Sequence, residues 1–204
     1  MARLFTAMTM TSIVIAAASQ VTAADLPSGR LIPRFGRMDL MCKLALLAVE
    51  SLGANFDAQP RERTGICLAA GAGSLTADLD FWSGHDAVGG PSGTLFAYTL
   101  PSAAIGEIAI RHRLTGPNLC LVGGDMVLPE AREMLLRGEA EACLCISCNV
   151  ITPGIAEMIQ VAPAANASAL FLRRGSGGLR KLQESDRDIA LVCSSLTAKN
   201  SPGL

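Results

Sequence analysis

Apolar positions along this chain fall into short unbroken runs that alternate with helically spaced ones. Thr64 to Ala70 is a short, continuously apolar run of the kind a strand buried on both faces produces. Asn118 to Val122, Ala142 to Val150 and Ala167 to Arg173 read as strands too, and the shorter run Asp188 to Cys193 reads as a further one. Between these runs the spacing changes. Met38, Met41, Leu44, Ala45, Ala48 and Leu52 recur on one helical face and stop at Gly53, which predicts a helix over Met38 to Leu52. A second helix is expected over Thr99 to Arg113, with Ala103, Ala104 and Gly106 forming a small-residue face. A third is expected over Met126 to Arg137, stopped by Gly138. Pro27, Gly29, Pro33 and Gly36 make Asp25 to Gly36 a loop. Gly71 to Gly93 is also mostly loop, with a short helix near Leu75 to Trp82. The polar stretch ending in Pro-Gly-Leu predicts a flexible tail over 197–204, leaving one domain over 1–196.

The N-terminus carries two readings. Arg3, the apolar stretch from Ile13 to Ala18 and Val21-Thr-Ala-Ala24 before Asp25 resemble a signal peptide. The same residues also supply a first buried strand, Thr11 to Ala17. Thr9, Thr11 and Ser12 interrupt the apolar stretch and shorten it, which favours the strand.

Composition narrows the partners. A formal net charge of −1 gives no electrostatic reason to expect nucleic acid or an anionic membrane. Arg61/Arg63 and Arg173/Arg174 are short and isolated, and read as solvated surface. The seven cysteines sit mostly in apolar runs, as reduced, buried thiols do in a cytoplasmic protein. In a strand Cys143 and Cys145 share one face while Cys148 points to the other, and no histidine is near in sequence to complete a ligand set. No metal or cofactor is expected.

The segment from Gly93 to Pro117 closely resembles the β-ketoacyl synthases, members of the thiolase-like superfamily. Phe96, Leu100, Pro101, Ile108 and Ala109 follow that family's Phe-x-x-x-Leu-Pro helix pattern, and Gly116-Pro117 matches the turn after it. Arg37-Met-Asp39 resembles the start of the family's first helix, and Arg63 to Gly71 its second strand. Leu136-Arg-Gly138-Glu-Ala-Glu-Ala-Cys-Leu144 and Asn166 to Leu172 match later motifs. The resemblance implies an α/β fold: a thiolase-like half-fold with layered helices on a mixed, mainly parallel five-stranded sheet.

The departures from the pattern shape the functional expectation. The family places its nucleophilic cysteine eight residues after the proline of the turn, and counting from Pro117 lands on Asp125. A carboxylate suits a helix N-terminus but does not do the work of a thiolate. Cys120 lies earlier, inside the strand, where its side chain is expected to be buried. The resemblance implies that the family's catalytic histidines and lysine belong to a C-terminal half, which this chain is expected to lack. His85 and His112 read as ordinary surface histidines.

A half-fold is also expected to leave apolar helical surface exposed, which implies a partner. The resemblance therefore implies a non-catalytic accessory subunit like a chain-length factor, in fatty-acid or polyketide-type biosynthesis. Its partner is a complete ketosynthase or a second copy, with an acyl carrier protein as a further partner. Asp125, Gly123 and Gly124 are expected to line the degenerate site, with Phe96, Leu100 and Pro101 close by. The rival readings are an acyl-transfer enzyme using Asp125 or a cysteine, a secreted or periplasmic binding protein if residues 1–24 are cleaved, and a remnant without a biochemical role.

Overall fold

The computed structural model describes residues 12–27, 32–53, 59–86, 88–123 and 126–197. The fold is built around one strand, Thr64–Ala70, whose seven positions are all buried. In chain order the strands are β1 (Ile13–Thr22), β2 (Thr64–Ala70), β3 (Asn118–Val122), β4 (Ala142–Ile151), β5 (Ala164–Arg174) and β6 (Arg180–Lys181). They form one sheet in the order β3-β2-β4-β5-β1-β6. The helices are α1 (Leu40–Ser51), α2 (Leu75–Ser83), α3 (Gly93–Phe96), α4 (Ala103–His112), α5 (Val127–Leu136), α6 (Pro153–Ile159) and α7 (Ile189–Thr197). Among the described residues no helix is long and apolar enough to cross a membrane.

Strand alternation sorts the core into two layers. Ile66, Leu68 and Ala70 of β2 and Leu144, Ile146 and Cys148 of β4 face α1 and α4. Cys67, Ala69, Cys143 and Cys145 face α5 and α7 on the other side. The expected split of the cysteine cluster therefore holds, with Cys143 and Cys145 in one layer and Cys148 in the other. Asp39 caps the start of α1, as the resemblance of Arg37-Met-Asp39 implies, its carboxylate accepting the Cys42 N–H at 2.9 Å.

Four expectations need correction. The sheet has six strands rather than five, because the two-residue β6 pairs with β1. It is mixed but not mainly parallel: only β2–β3 and β2–β4 run parallel, and the other three pairings are antiparallel. The link through α6 returns the chain directly, so that Ile151 pairs with Ala164 and β5 must oppose β4. Asp188 to Cys193 is not a strand. Asp188 caps α7 by accepting the Leu191 N–H at 3.0 Å, and Ile189, Val192, Cys193 and Leu196 dock on the sheet. The helix expected over Thr99 to Arg113 begins only at Ala103, because the chain turns at Leu100–Ser102 after the separate short helix α3.

Ile13–Thr22 is a strand, as the preferred N-terminal reading holds, and it lies between β5 and β6. The tail at 198–204 lies outside the described residues.

Two glycines test the packing in opposite directions. Gly116 lies against Thr64 so tightly that an added Cβ would overlap the Thr64 carbonyl, whereas Gly106 in α4 has open space. Gly116→Ala is expected to destabilise the protein by ~1–3 kcal/mol through overpacking. Gly106→Ala should stabilise it by about 0.5–1 kcal/mol, since alanine is the better helix former. Urea denaturation midpoints would check both.

Candidate functional site

Ligands of open α/β sheets sit in the crevice beyond the carboxyl ends of the parallel strands. Here that crevice lies where β3 and β2 end together beside β4, which runs on to Ile151, with Val122 and Cys148 both in register with Ala70. The Ala70 carbonyl gathers the loops that leave the sheet, accepting the Gly73 N–H at 3.2 Å and the Gly123 N–H at 3.0 Å. Gly71 donates to the Cys148 carbonyl at 3.1 Å. Both glycines after β2 are required by geometry. A Cβ on Gly71 would overlap the Asn149 side-chain amide, and Gly73 adopts φ +62°, a conformation costly for other residues. A Cβ at Gly73 would lie 3.5 Å from Val122 and 3.7 Å from Pro101. Ser74 completes the junction by donating its hydroxyl to the Thr99 carbonyl at 2.6 Å, tying the exit of β2 to the turn before α4.

Of the residues expected at the site, Pro101 and Gly123 come to this junction. Gly123 turns the chain after β3 with φ +98°. Gly124 and Asp125 lie outside the described residues. Phe96 packs on Phe81 of α2, ring centroids 5.4 Å apart, and is 62% exposed, while Leu100 is 64% exposed. Asn149, Gly73 and Ser74 were not anticipated. The Gly-x-Gly-Ser run directly after a buried strand is the signal that marks two of them, whereas nothing in the spacing marks Asn149.

Six of the seven cysteines are buried and Cys120 is half-buried, so the environment of each disfavours the thiolate. Burial pushes up the thiols of Cys42, Cys120 and Cys145, and those of Cys148 and Cys193 to about 12. Cys67 is raised chiefly by its hydrogen bond to Cys143, and Cys143 by its bond to Cys145, with burial adding to each. These three sulfurs stand 3.5 and 3.9 Å apart in the core. Cys120 is half-buried rather than fully buried, because β3 is the edge strand.

The histidines differ from each other. His85 is exposed and stacks on Trp82, as a surface residue does. His112 is only 13% exposed and lies 3.6 Å from Glu50, so it is not the surface residue expected.

A second polar cluster was not foreseen. Glu107 is buried on the inner side of α4, accepting Arg34 at 2.9 Å and the Tyr98 hydroxyl at 3.1 Å. Burial raises the Tyr98 pKa, and the hydrogen bond and charge of Glu107 raise it further. Arg34 is held in the left-handed region at φ 68°. These residues and Arg37 line a cavity of about 400 Å³. Position 107 falls three residues after buried Ala104, so its burial was legible in the helical spacing.

The model of the β-ketoacyl synthase N-terminal domain matches residues 15–177, and the chain belongs to that family. Solved structures share the fold. The ishigamide ketosynthase/chain length factor superposes with a TM-score of 0.67 at 23% identity, over 83% of this chain and 64% of that one. The ketosynthase ApeO in complex with its chain length factor ApeC, from Xenorhabdus doucetiae, gives 0.63 at 15% identity, over 81% of this chain and 80% of that one. AntDE:AntF, a type II PKS acyl-carrier protein in complex with its ketosynthase, gives 0.69 at 15%, over 80% and 62%. This chain thus spans less than two thirds of the ishigamide and Ant chains it resembles. No curated protein matches it.

Thiol chemistry supplies the check on this site. A raised pKa leaves a smaller thiolate fraction at neutral pH, so native protein at pH 7 should take up iodoacetamide slowly and at Cys120 alone. The other six thiols should react only after unfolding. A second cysteine labelled rapidly in the native state, found by peptide mass spectrometry, would contradict this assignment.

Proposed function

We propose that this chain is a non-catalytic, ketosynthase-like accessory subunit, comparable in role to the chain length factors, in fatty-acid or polyketide-type biosynthesis. The observation that carries the reading is the burial of the thiols: six of the seven are buried and Cys120 is half-buried, which favours their neutral form. Acyl transfer from a thioester needs an activated nucleophile, and the sequence places Asp125 where the family keeps its cysteine. Gly123, Gly124 and Asp125 then line a degenerate site, beside Pro101, Leu100 and Phe96.

The partner is a complete ketosynthase subunit, and two features support a surface for it. Among the described residues strand β3 pairs only with β2, and its sequence Asn-Leu-Cys-Leu-Val is uncharged, so that its other backbone edge suits pairing with another strand. Val122 at its end is 70% exposed and Met126 beyond it 50%, while Trp82, Phe96 and Leu100 also present apolar surface. An acyl carrier protein is proposed as a further partner by analogy with the Ant complex. A cytoplasmic location fits seven cysteines that form no disulfide.

The test is purification of the tagged chain from its own host, with mass spectrometry of bound proteins and of the intact chain. A full-length ketosynthase should accompany it, and Val122→Lys should cut that recovery about tenfold, equivalent to roughly 1.4 kcal/mol, while leaving Tm unchanged. Incubation with acyl thioesters should add no mass. A stable acyl adduct, or a chain beginning near Asp25 with no ketosynthase bound, would refute the proposal.

A further inference from the structure

We infer that the cavity between the segment leading into α1 and helices α3 and α4 binds a small organic carboxylate, with Arg37 as its counter-ion. The inference is independent of the function proposed above. It starts from the charges that meet in this cavity. Arg34 arrives there already neutralised. The Glu107 side chain, 7% exposed, accepts the Arg34 guanidinium at 2.9 Å and the Tyr98 hydroxyl at 3.1 Å. Arg37 lines the same space, yet among the described residues it makes neither a hydrogen bond nor an ion pair. Two guanidinium groups and one carboxylate leave the cavity with a single uncompensated positive charge, which suits a monoanion better than a phosphate dianion. A guanidinium also presents paired N–H donors that match the two oxygens of a carboxylate.

The shape of the cavity agrees with its charge. Its volume of about 400 Å³ lies within the range of small-molecule pockets. Short apolar groups form much of the wall: Ala97 at the end of α3, and Ala103 and Gly106 of α4, followed one turn on by Ile110, which is 60% exposed. Gly106 is the informative position. A Cβ there would meet nothing within 4 Å, so packing does not require glycine, and glycine weakens a helix interior. What the missing side chain does is leave the cavity open. Arg34 carries a second cost, since it is held at φ 68°, where a side chain strains the backbone. The buried Glu107 carboxylate fixes its guanidinium against α4 and keeps it from competing for the anion.

Calorimetric titration of the purified chain with sodium butyrate tests the site, with acetate and inorganic phosphate as comparisons. Butyrate should bind saturably and more tightly than phosphate. It should also bind roughly fivefold more tightly than acetate, because its two further methylenes meet the apolar wall. Arg37→Gln should weaken butyrate about tenfold while leaving Tm unchanged. Gly106→Leu fills the cavity from a helix position with room for a side chain, so it should abolish binding without lowering Tm. Glu107→Gln removes the negative charge but can still accept the Tyr98 hydroxyl, and phosphate should then gain on butyrate. The inference is overturned if butyrate does not saturate, if acetate or phosphate binds the unmodified chain as tightly, or if folded Arg37→Gln or Gly106→Leu protein binds butyrate undiminished. A Glu107→Gln protein with the original preference for butyrate over phosphate would overturn it as well.

Discussion

The complete burial of β2 is the constraint on which the rest of the structure depends. A strand with no exposed position needs a neighbour on each edge and a helical layer on each face. β3 and β4 supply the edges, both parallel to it. α1 and α4 cover one face, α5 and α7 the other. Because all three parallel strands point the same way, their carboxyl ends open on one side of the sheet, and the loops after them become the region free to carry function. Gly71, Gly73 and Gly123 follow from the same crowding. Each backbone there approaches a neighbour closely or turns through a conformation that a side chain would strain.

Much of this architecture was legible in the order of residues, for reasons that particular elements make clear. Helices α1 and α5 declared themselves through apolar residues at helical spacing, and the structure shortens each by a residue or two at its ends. β2, β3 and β4 were visible as unbroken apolar runs. The direction of pairing was not visible. Strands buried on both faces look alike whether parallel or antiparallel, and the register of Ile151 with Ala164 is set by a turn rather than by a period. Asp188 to Cys193 misled for a related reason. Six residues of which five are apolar fit strand and helix equally well, and docking against β5 and β1 decides between them.

The site was half legible. Pro101 and Gly123 could be placed because they stand in ordered motifs, and both reach the junction below β3. Phe96 belongs to the same motif yet packs on Phe81, since α3 is a separate helix and not the first turn of α4. Asn149 carried no signal, because a polar residue at a strand end has no spacing to betray it. Glu107 did have one. Its place on the inner side of α4 follows from helical periodicity, but its partners Arg34 and Tyr98 come from loops and turns whose course only the folded chain defines.

The cysteines connect packing to chemistry. A thiol buried in an apolar layer serves as a small hydrophobe, and removing its surroundings of water disfavours the thiolate it would need for acyl transfer. Cys67, Cys143 and Cys145 spend their side chains on one another in the α5 layer, while Cys42 and Cys148 fill the opposite one. A nucleophile at the bend after β3 would have the opposite environment, at the N-terminal end of α5, where the helix dipole favours an anion. Cys120, the thiol nearest in sequence to that bend, lies in the strand and packs toward the α1–α4 layer. Core packing and thiol activation therefore pull in opposite directions in this chain, and six of its seven cysteines are buried.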